Sequence, residues 1–252
     1  MARRQPTSIY GTVLKLLQVV LTGIGIAVAA PSRAQDSNAV HRTTVDAGAY
    51  PWSAIGKLYN SNQGACTGVA ISRNQVLTAA HCLINRRTHR FVPATSLHFL
   101  FGYRNGEFIG HARVARYDIG PGYIPFGSKK TPAADWVVLT LTENIPAQIK
   151  PLKLVRSALP RGTRVVVAGY PQDRAYAMTA DRDCELRGLA NAGQLLLHTC
   201  RGIHGYSGAP LLVAAGDHEY EIAGMHVATL RRDGATTMIA VPAQRIPFQS
   251  LK

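Results

Sequence analysis

The feature that most constrains this chain is a recurrence of short apolar runs between turn residues, with no long stretch of helical apolar spacing. From residue 50 onward, runs rich in β-branched and aromatic residues are punctuated by Gly, Pro, Asn and Asp. The pattern predicts strands over Ser53–Tyr59, Thr67–Ser72, Gln75–Ala79, Leu97–Phe101, His111–Tyr117, Trp136–Leu141, Arg164–Gly169, Ala175–Thr179, Gln194–Thr199, Ala209–Ala214, Tyr220–Leu230 and Thr236–Pro242. Strands spaced about 10 residues apart read as an all-β sandwich or barrel. The Gly- and Pro-rich stretch Asp118–Ala134 is the most irregular, and it is expected to divide the strands into two halves. Residues 243–252 read as a short helix or a tail. At 252 residues the chain can bury the core of one large or two small domains.

The start of the chain has a different texture. Arg3, Arg4 and Lys15 precede the apolar run Leu16–Ala30, and Ser32 and Ala34 stand at the small-residue positions of a cleavage site. Residues 1–34 are therefore expected to be a secretory signal, with an uncleaved anchor as the rival. Residues 35–44 are expected to be a propeptide or a flexible arm, and 45–252 the folded domain. The net charge of +14 falls to +10 without residues 1–34, which carry three Arg, one Lys and no acid. The basic residues are scattered. Arg86-Arg87 with Arg90, and Arg231-Arg232, are the local clusters, and neither interleaves with aromatics as a nucleic-acid site would. No nucleic-acid partner and no stable membrane association after signal removal are expected. Four cysteines, Cys66, Cys82, Cys184 and Cys200, suggest two disulfides in an exported chain. Three pairings exist, and the two local bridges, Cys66–Cys82 and Cys184–Cys200, would close loops of similar size. No short Cys-x-x-Cys spacing supports a zinc site.

Three stretches carry chemistry. His204-Gly205-Tyr206-Ser207-Gly208-Ala209-Pro210 sets a serine between glycines, a turn that can expose a hydroxyl and aim N–H groups at one point. Val76-Leu77-Thr78-Ala79-Ala80-His81-Cys82 ends an apolar run in small residues, then a histidine beside a cysteine that can tether it. A rigidly held imidazole suits general-base work. Ala133-Ala134-Asp135-Trp136-Val137 places one acid before a buried strand, where it can accept a hydrogen bond from an imidazole.

These stretches, in the order His, Asp, Ser, resemble the motifs of the trypsin/chymotrypsin-like serine peptidases over roughly residues 45–245. Tyr50-Pro51-Trp52-Ser53-Ala54-Ile55-Gly56 and Gly224-Met225-His226 carry a closer likeness to the bacterial glutamyl-endopeptidase-like branch. The resemblance implies two six-stranded antiparallel β-barrels with the active site in the cleft between them, the first over about 45–125 and the second over about 135–245. It implies a secreted or periplasmic, monomeric endopeptidase that needs no cofactor or metal and acts on proteins or peptides through an acyl-enzyme intermediate. His81, Asp135 and Ser207 would be catalytic, and the N–H groups of Gly205 and Ser207 would form the oxyanion hole. His226 matches the histidine that reads a substrate carboxylate in that branch, or else is a barrel-wall histidine satisfied locally. Arg201 stands where trypsin has the acid of its specificity pocket, so a preference for acidic residues is expected rather than one for Lys or Arg, unless Arg201 turns to solvent. Two departures stand out. Tyr206 replaces the aspartate that binds the amine freed by zymogen cleavage in the digestive enzymes. Gly202 replaces the threonine of the glutamyl-specific branch. Tyr206 and Ile203-His204 motivate the alternative of a catalytically impaired binding protein on the same fold.

Overall fold

Strand alternation is plainest in Leu97–Phe101, where Leu97, Phe99 and Phe101 are buried and His98 and Leu100 are half-buried. A period of two with one face on a core is the mark of a strand. The computed structural model describes residues 42–60, 64–125, 131–232 and 235–247. The expected signal, residues 1–34, lies outside the described residues.

In chain order the strands are β1 (Arg42–Thr44), β2 (Ile55–Asn60), β3 (Gly64–Ala70), β4 (Gln75–Thr78), β5 (Ile84–Asn85), β6 (Arg90–Phe91), β7 (Leu97–Phe101), β8 (Gly110–Ile119), β9 (Val137–Leu141), β10 (Lys153–Leu154), β11 (Arg164–Gly169), β12 (Thr179–Ala190), β13 (Leu195–His198), β14 (Pro210–Ala214), β15 (Tyr220–Arg232) and β16 (Ala235–Pro242). Strands β2-β3-β4-β9-β8-β7 close one antiparallel barrel. Strands β11, β12, β13, β16, β15 and β14 close a second, because β12 pairs with both β11 and β13. Closure leaves neither barrel with a bare edge. β1 adds to β12, and β10 runs parallel to β15. Among the described residues there is no α-helix, and no helix long and apolar enough to cross a membrane.

The first barrel is filled at its centre by Phe99. A Cβ on Gly56 would lie 2.3 Å from its ring and one on Gly68 2.8 Å from it. These two glycines face each other across β2 and β3, so two adjacent strands give up their side chains to admit one aromatic. The larger apolar cluster continues into the second barrel through Leu212, Ile222, Met225 and Val241. This buried seam holds the walls of the cleft.

The observed elements differ from the expected ones in three places. Asp118–Ala134 does not divide the barrels. It leads from β8 to β9, and β9 pairs with β4 and β8 to close the first barrel. The first barrel thus runs to Leu141, past the boundary expected between residues 125 and 135. The predicted strand Ala175–Thr179 is replaced by β12, whose Asp181, Arg182, Asp183, Glu185 and Arg187 hide the buried Ala180, Cys184 and Leu186 from an apolar pattern. The arm expected over 35–44 is not loose at its end. Residues 42–44 pair with β12, and the buried Arg42 makes a two-pronged ion pair with Asp173 at 3.1 and 2.7 Å.

Candidate active site

The site begins with a short turn. β4 ends at Thr78, and the fully buried Ala79 and Ala80 let the chain bend tightly into a 3₁₀ turn over Ala80–Leu83 that carries His81. The next residue, Cys82, is bonded to Cys66 on β3. The second disulfide joins Cys184 to Cys200. Each bridge spans 16 residues, and closing such a loop in the unfolded chain is worth about 3 kcal/mol. Cys66, His81 and Cys82 form a group of ligand-type side chains. Both sulfurs are spent in the disulfide, so the group offers no thiolate to a metal.

Asp135 follows the 3₁₀ turn Pro132–Ala134 and enters β9. Both of its carboxylate oxygens go to one residue. Oδ1 accepts the His81 backbone N–H at 2.9 Å, and Oδ2 lies 2.7 Å from His81 Nδ1. A carboxylate can only accept, so the imidazole proton sits on Nδ1. His81 Nε2 is left with its lone pair, which a base needs.

Ser207 lies in the turn between β13 and β14. A residue without a motif signature fastens that turn to the first barrel. Thr67, wholly buried on β3, donates its N–H to the Ser207 carbonyl at 2.9 Å and its hydroxyl to the Gly205 carbonyl at 2.9 Å. The same hydroxyl accepts the Tyr170 N–H at 3.0 Å. Thr67 was not among the expected site residues. Its sequence signal is slight: a β-branched hydroxyl residue beside the cysteine that staples the histidine turn.

The turn itself requires its glycines. Gly205 has φ +97°, and a Cβ there would sit 2.2 Å from the Tyr170 carbonyl. Gly208 has φ +81°, and a Cβ there would sit 2.1 Å from the Thr67 carbonyl. The N–H groups of Tyr206, Gly208 and Ala209 bond to Ile203, His226 and Tyr206 carbonyls at 3.0, 2.9 and 2.9 Å. Those of Gly205 and Ser207 have no acceptor among the described residues. Tyr206 points inward and is fully buried. Its hydroxyl lies 2.6 Å from Thr179 Oγ1 and also meets Arg42. Burial pushes its phenol up to about 12. The tyrosine therefore anchors the turn from beneath and leaves its hydrogen bonds intact.

His81, Ser207, Arg86 and His204 line two connected cavities. One, of about 640 Å³, also takes in Gly202, Ile203 and His226. His226 is 4% exposed, and its Nδ1 lies 3.2 Å from His198 Nε2. Burial, and then repulsion from the nearby His81, hold the His226 imidazole down to about 4, and burial holds His198 well below its ordinary value. A Cβ on Gly202 would lie 2.6 Å from His226 Nε2. The glycine at 202 thus makes room for the imidazole. Arg201 does not line either cavity at Ser207. Its N–H donates to Asp181 at 2.9 Å, and the residue lines an adjoining cavity with His198 and Arg231.

Compared with protein families, residues 39–187 match "Trypsin", well over half of the chain. The chain belongs to the trypsin family. Among curated trypsin-family relatives, it is 29% identical to cercarial protease of Schistosoma mansoni over 169 residues, which are 61% of this chain and 59% of that protein. It is 28% identical to human kallikrein-7 over 156 residues, covering 61% of this chain and 56% of that one. The chain thus spans less than two thirds of the length of these relatives. Among solved structures, a Glu endopeptidase matches 81% of this chain and 91% of its own, with TM-score 0.65 and 21% identity. That likeness is one of fold, and it takes in more of the chain than residues 39–187 do. All-β architecture, two closed barrels and two disulfides agree with the family.

Proposed function

We propose that this chain is an exported serine endopeptidase that hydrolyses peptide bonds in proteins or peptides, with a preference for cleavage after acidic residues. The observation that carries the reading is one cleft with three features. It holds the His81–Asp135 pair, the Ser207 turn and two backbone donors without acceptors among the described residues. Ser207 Oγ attacks the scissile carbonyl, and His81 Nε2 takes the proton and returns it to the leaving amine. Asp135 keeps the proton on Nδ1 and stabilises the imidazolium. The oxyanion is held by the N–H groups of Gly205 and Ser207, each donor of this kind being worth about 2.7–4 kcal/mol in the transition state.

The preference for acid rests on His226. If His198 keeps its proton on Nε2, it donates to His226 Nδ1, and His226 Nε2–H is left to face the cavity. The opposite tautomer would strand a buried donor at His198 Nδ1, which has no partner among the described residues. A stranded N–H is the costlier defect. A donor beside Gly202 suits a carboxylate, and this supports reading the chain as closer to the glutamyl-endopeptidase-like branch. The disulfides and the apolar start of the chain support export after removal of residues 1–34, and we read the exported form as a monomer. Purified protein lacking residues 1–34 is expected to cut a peptide library chiefly after Glu and Asp, and Ser207→Ala to abolish cutting. A folded protein that cuts nothing contradicts the reading.

A further inference from the structure

The second cavity at Ser207, of about 480 Å³, opens on the flank away from His226. It shares His81 and Ser207 with the first, takes in Gly205, and continues to Lys57, Tyr59, Arg86 and Ala175. Under the reading above, the acyl side of the substrate occupies the His226 arm. The leaving-group side must then exit along this one.

Lys57 is out of keeping with a structural cation. The residue is only 9% exposed. Its ammonium donates to the Ala175 carbonyl at 2.9 Å and stands 4.5 Å from the Tyr103 ring centre and 5.8 Å from that of Tyr176. Among the described residues no carboxylate meets it, and no Asp or Glu lines the cavity. Burial alone holds its ammonium below the ordinary lysine range. The buried Arg42, by contrast, has Asp173 at 2.7 Å. A desolvated cation without an anion is costly, and ring faces and one carbonyl return only part of that cost. Arg86, exposed at the junction of the two cavities, adds a second positive charge on the same path.

We infer that the Lys57 arm is a carboxylate-binding subsite for the leaving-group side of the substrate, with Lys57 as its buried anchor and Arg86 as its exposed guide. The inference rests on the serine-endopeptidase reading and extends it to the far side of the scissile bond. The carboxylate can come from an acidic side chain or from a free C-terminus a few residues beyond the bond, and the same ammonium would recognise either.

The test uses peptides with one common acyl side and an amidated C-terminus, with Glu or Gln placed in turn at each of the first few positions after the cleaved bond. A further peptide has neutral residues there and a free terminal carboxylate. The wild-type protein is expected to favour Glu over Gln in kcat/KM by about tenfold at one position, the worth of one hydrogen bond to a charged group. That ratio should collapse toward one in Lys57→Met, persist in Lys57→Arg and shrink in Arg86→Gln. A rate gain confined to the free-terminus peptide would name the chain end as the source. An ester with the same acyl side and a small neutral alcohol reports the Ser207 chemistry without this arm. If the ester turns over while wild type shows no preference for Glu or for the free terminus, the subsite is refuted and the peptidase reading stands. An equal ratio in wild type and Lys57→Met also refutes it, leaving Lys57 as a staple between β2 and the Ala175 loop. If neither ester nor peptides are turned over, both readings fall together.

Discussion

Two imidazoles line the cleft at Ser207, and they are set up for opposite states. His81 is half-buried with a carboxylate 2.7 Å from Nδ1. His226 is almost wholly buried with a second imidazole 3.2 Å from Nδ1. Under the proposed reading, the first takes a proton from Ser207 because Asp135 stabilises the cation that forms. The second is held neutral by burial and by repulsion from His81 itself. Under that reading, one side chain in two settings supplies a base and a neutral hydrogen-bond donor. The partner at Nδ1 and the access of water decide between them.

The largest effect should come from erasing what makes His81 different. Asp135→Asn presents an amide that can pin the wrong tautomer, and kcat should fall about 10⁴-fold with little change in fold. Steady-state kinetics on an unbranched peptide substrate check this. A loss of less than tenfold would mean that the carboxylate is not what separates the two histidines.

Next comes the neutral state of His226. An unfolded histidine titrates near 6.5, whereas the folded His226 resists protonation down to about 4. Below pH 6.5 the unfolded chain therefore binds the extra proton, and stability falls with acid until about pH 4. This one group then costs about 3 kcal/mol across the window. Guanidinium unfolding across that window should show the slope, and His226→Asn should flatten it.

Thr67 sharpens the comparison because it ties to the first barrel the Ser207 turn, which shares a cavity with both histidines. Thr67→Val strands the Tyr170 N–H and frees the Gly205 carbonyl, at a cost of about 2 kcal/mol in unfolding free energy. Because the Gly205 turn loosens while the Asp135 contact does not, kcat should fall without a shift in the pH profile. The smallest effect is expected at Tyr206→Phe. It removes the bond to Thr179 and should lower stability by about 1 kcal/mol, read as a modest drop in Tm.

The candidate site was legible where its chemistry is local in sequence. His81 comes with Ala79, Ala80 and Cys82, and Ser207 comes with its flanking glycines, so the neighbours alone announce a tethered imidazole and an exposed hydroxyl. Thr67 was not legible. Its work is done on Gly205 and Ser207, about 140 residues away, and nothing beside it in the chain records that contact. Arg201 and Arg42 likewise take their settings from residues distant in the chain. The position of Arg201 six residues before Ser207 suggested the specificity floor, but its N–H is tied to Asp181 and it lines an adjoining cavity. Arg42, within the segment expected to be an arm, meets Asp173 and Tyr206, both more than 130 residues away. All-β character was plain from the spacing of apolar runs. The twelve-residue β12 is hard to see because five charges interrupt its apolar residues: Arg182, Asp183 and Arg187 are exposed and Glu185 half-buried, while Asp181 is buried and accepts the Arg201 N–H.

The central claim is that Ser207 is a nucleophile activated by His81. Its most direct test is covalent labelling of the purified protein with a fluorophosphonate, followed by mass mapping of the modified peptide. Stoichiometric modification at Ser207, slowed strongly in His81→Ala and absent in Ser207→Ala, is the predicted result. Folded protein that stays unmodified, or that is modified equally well without His81, would contradict it.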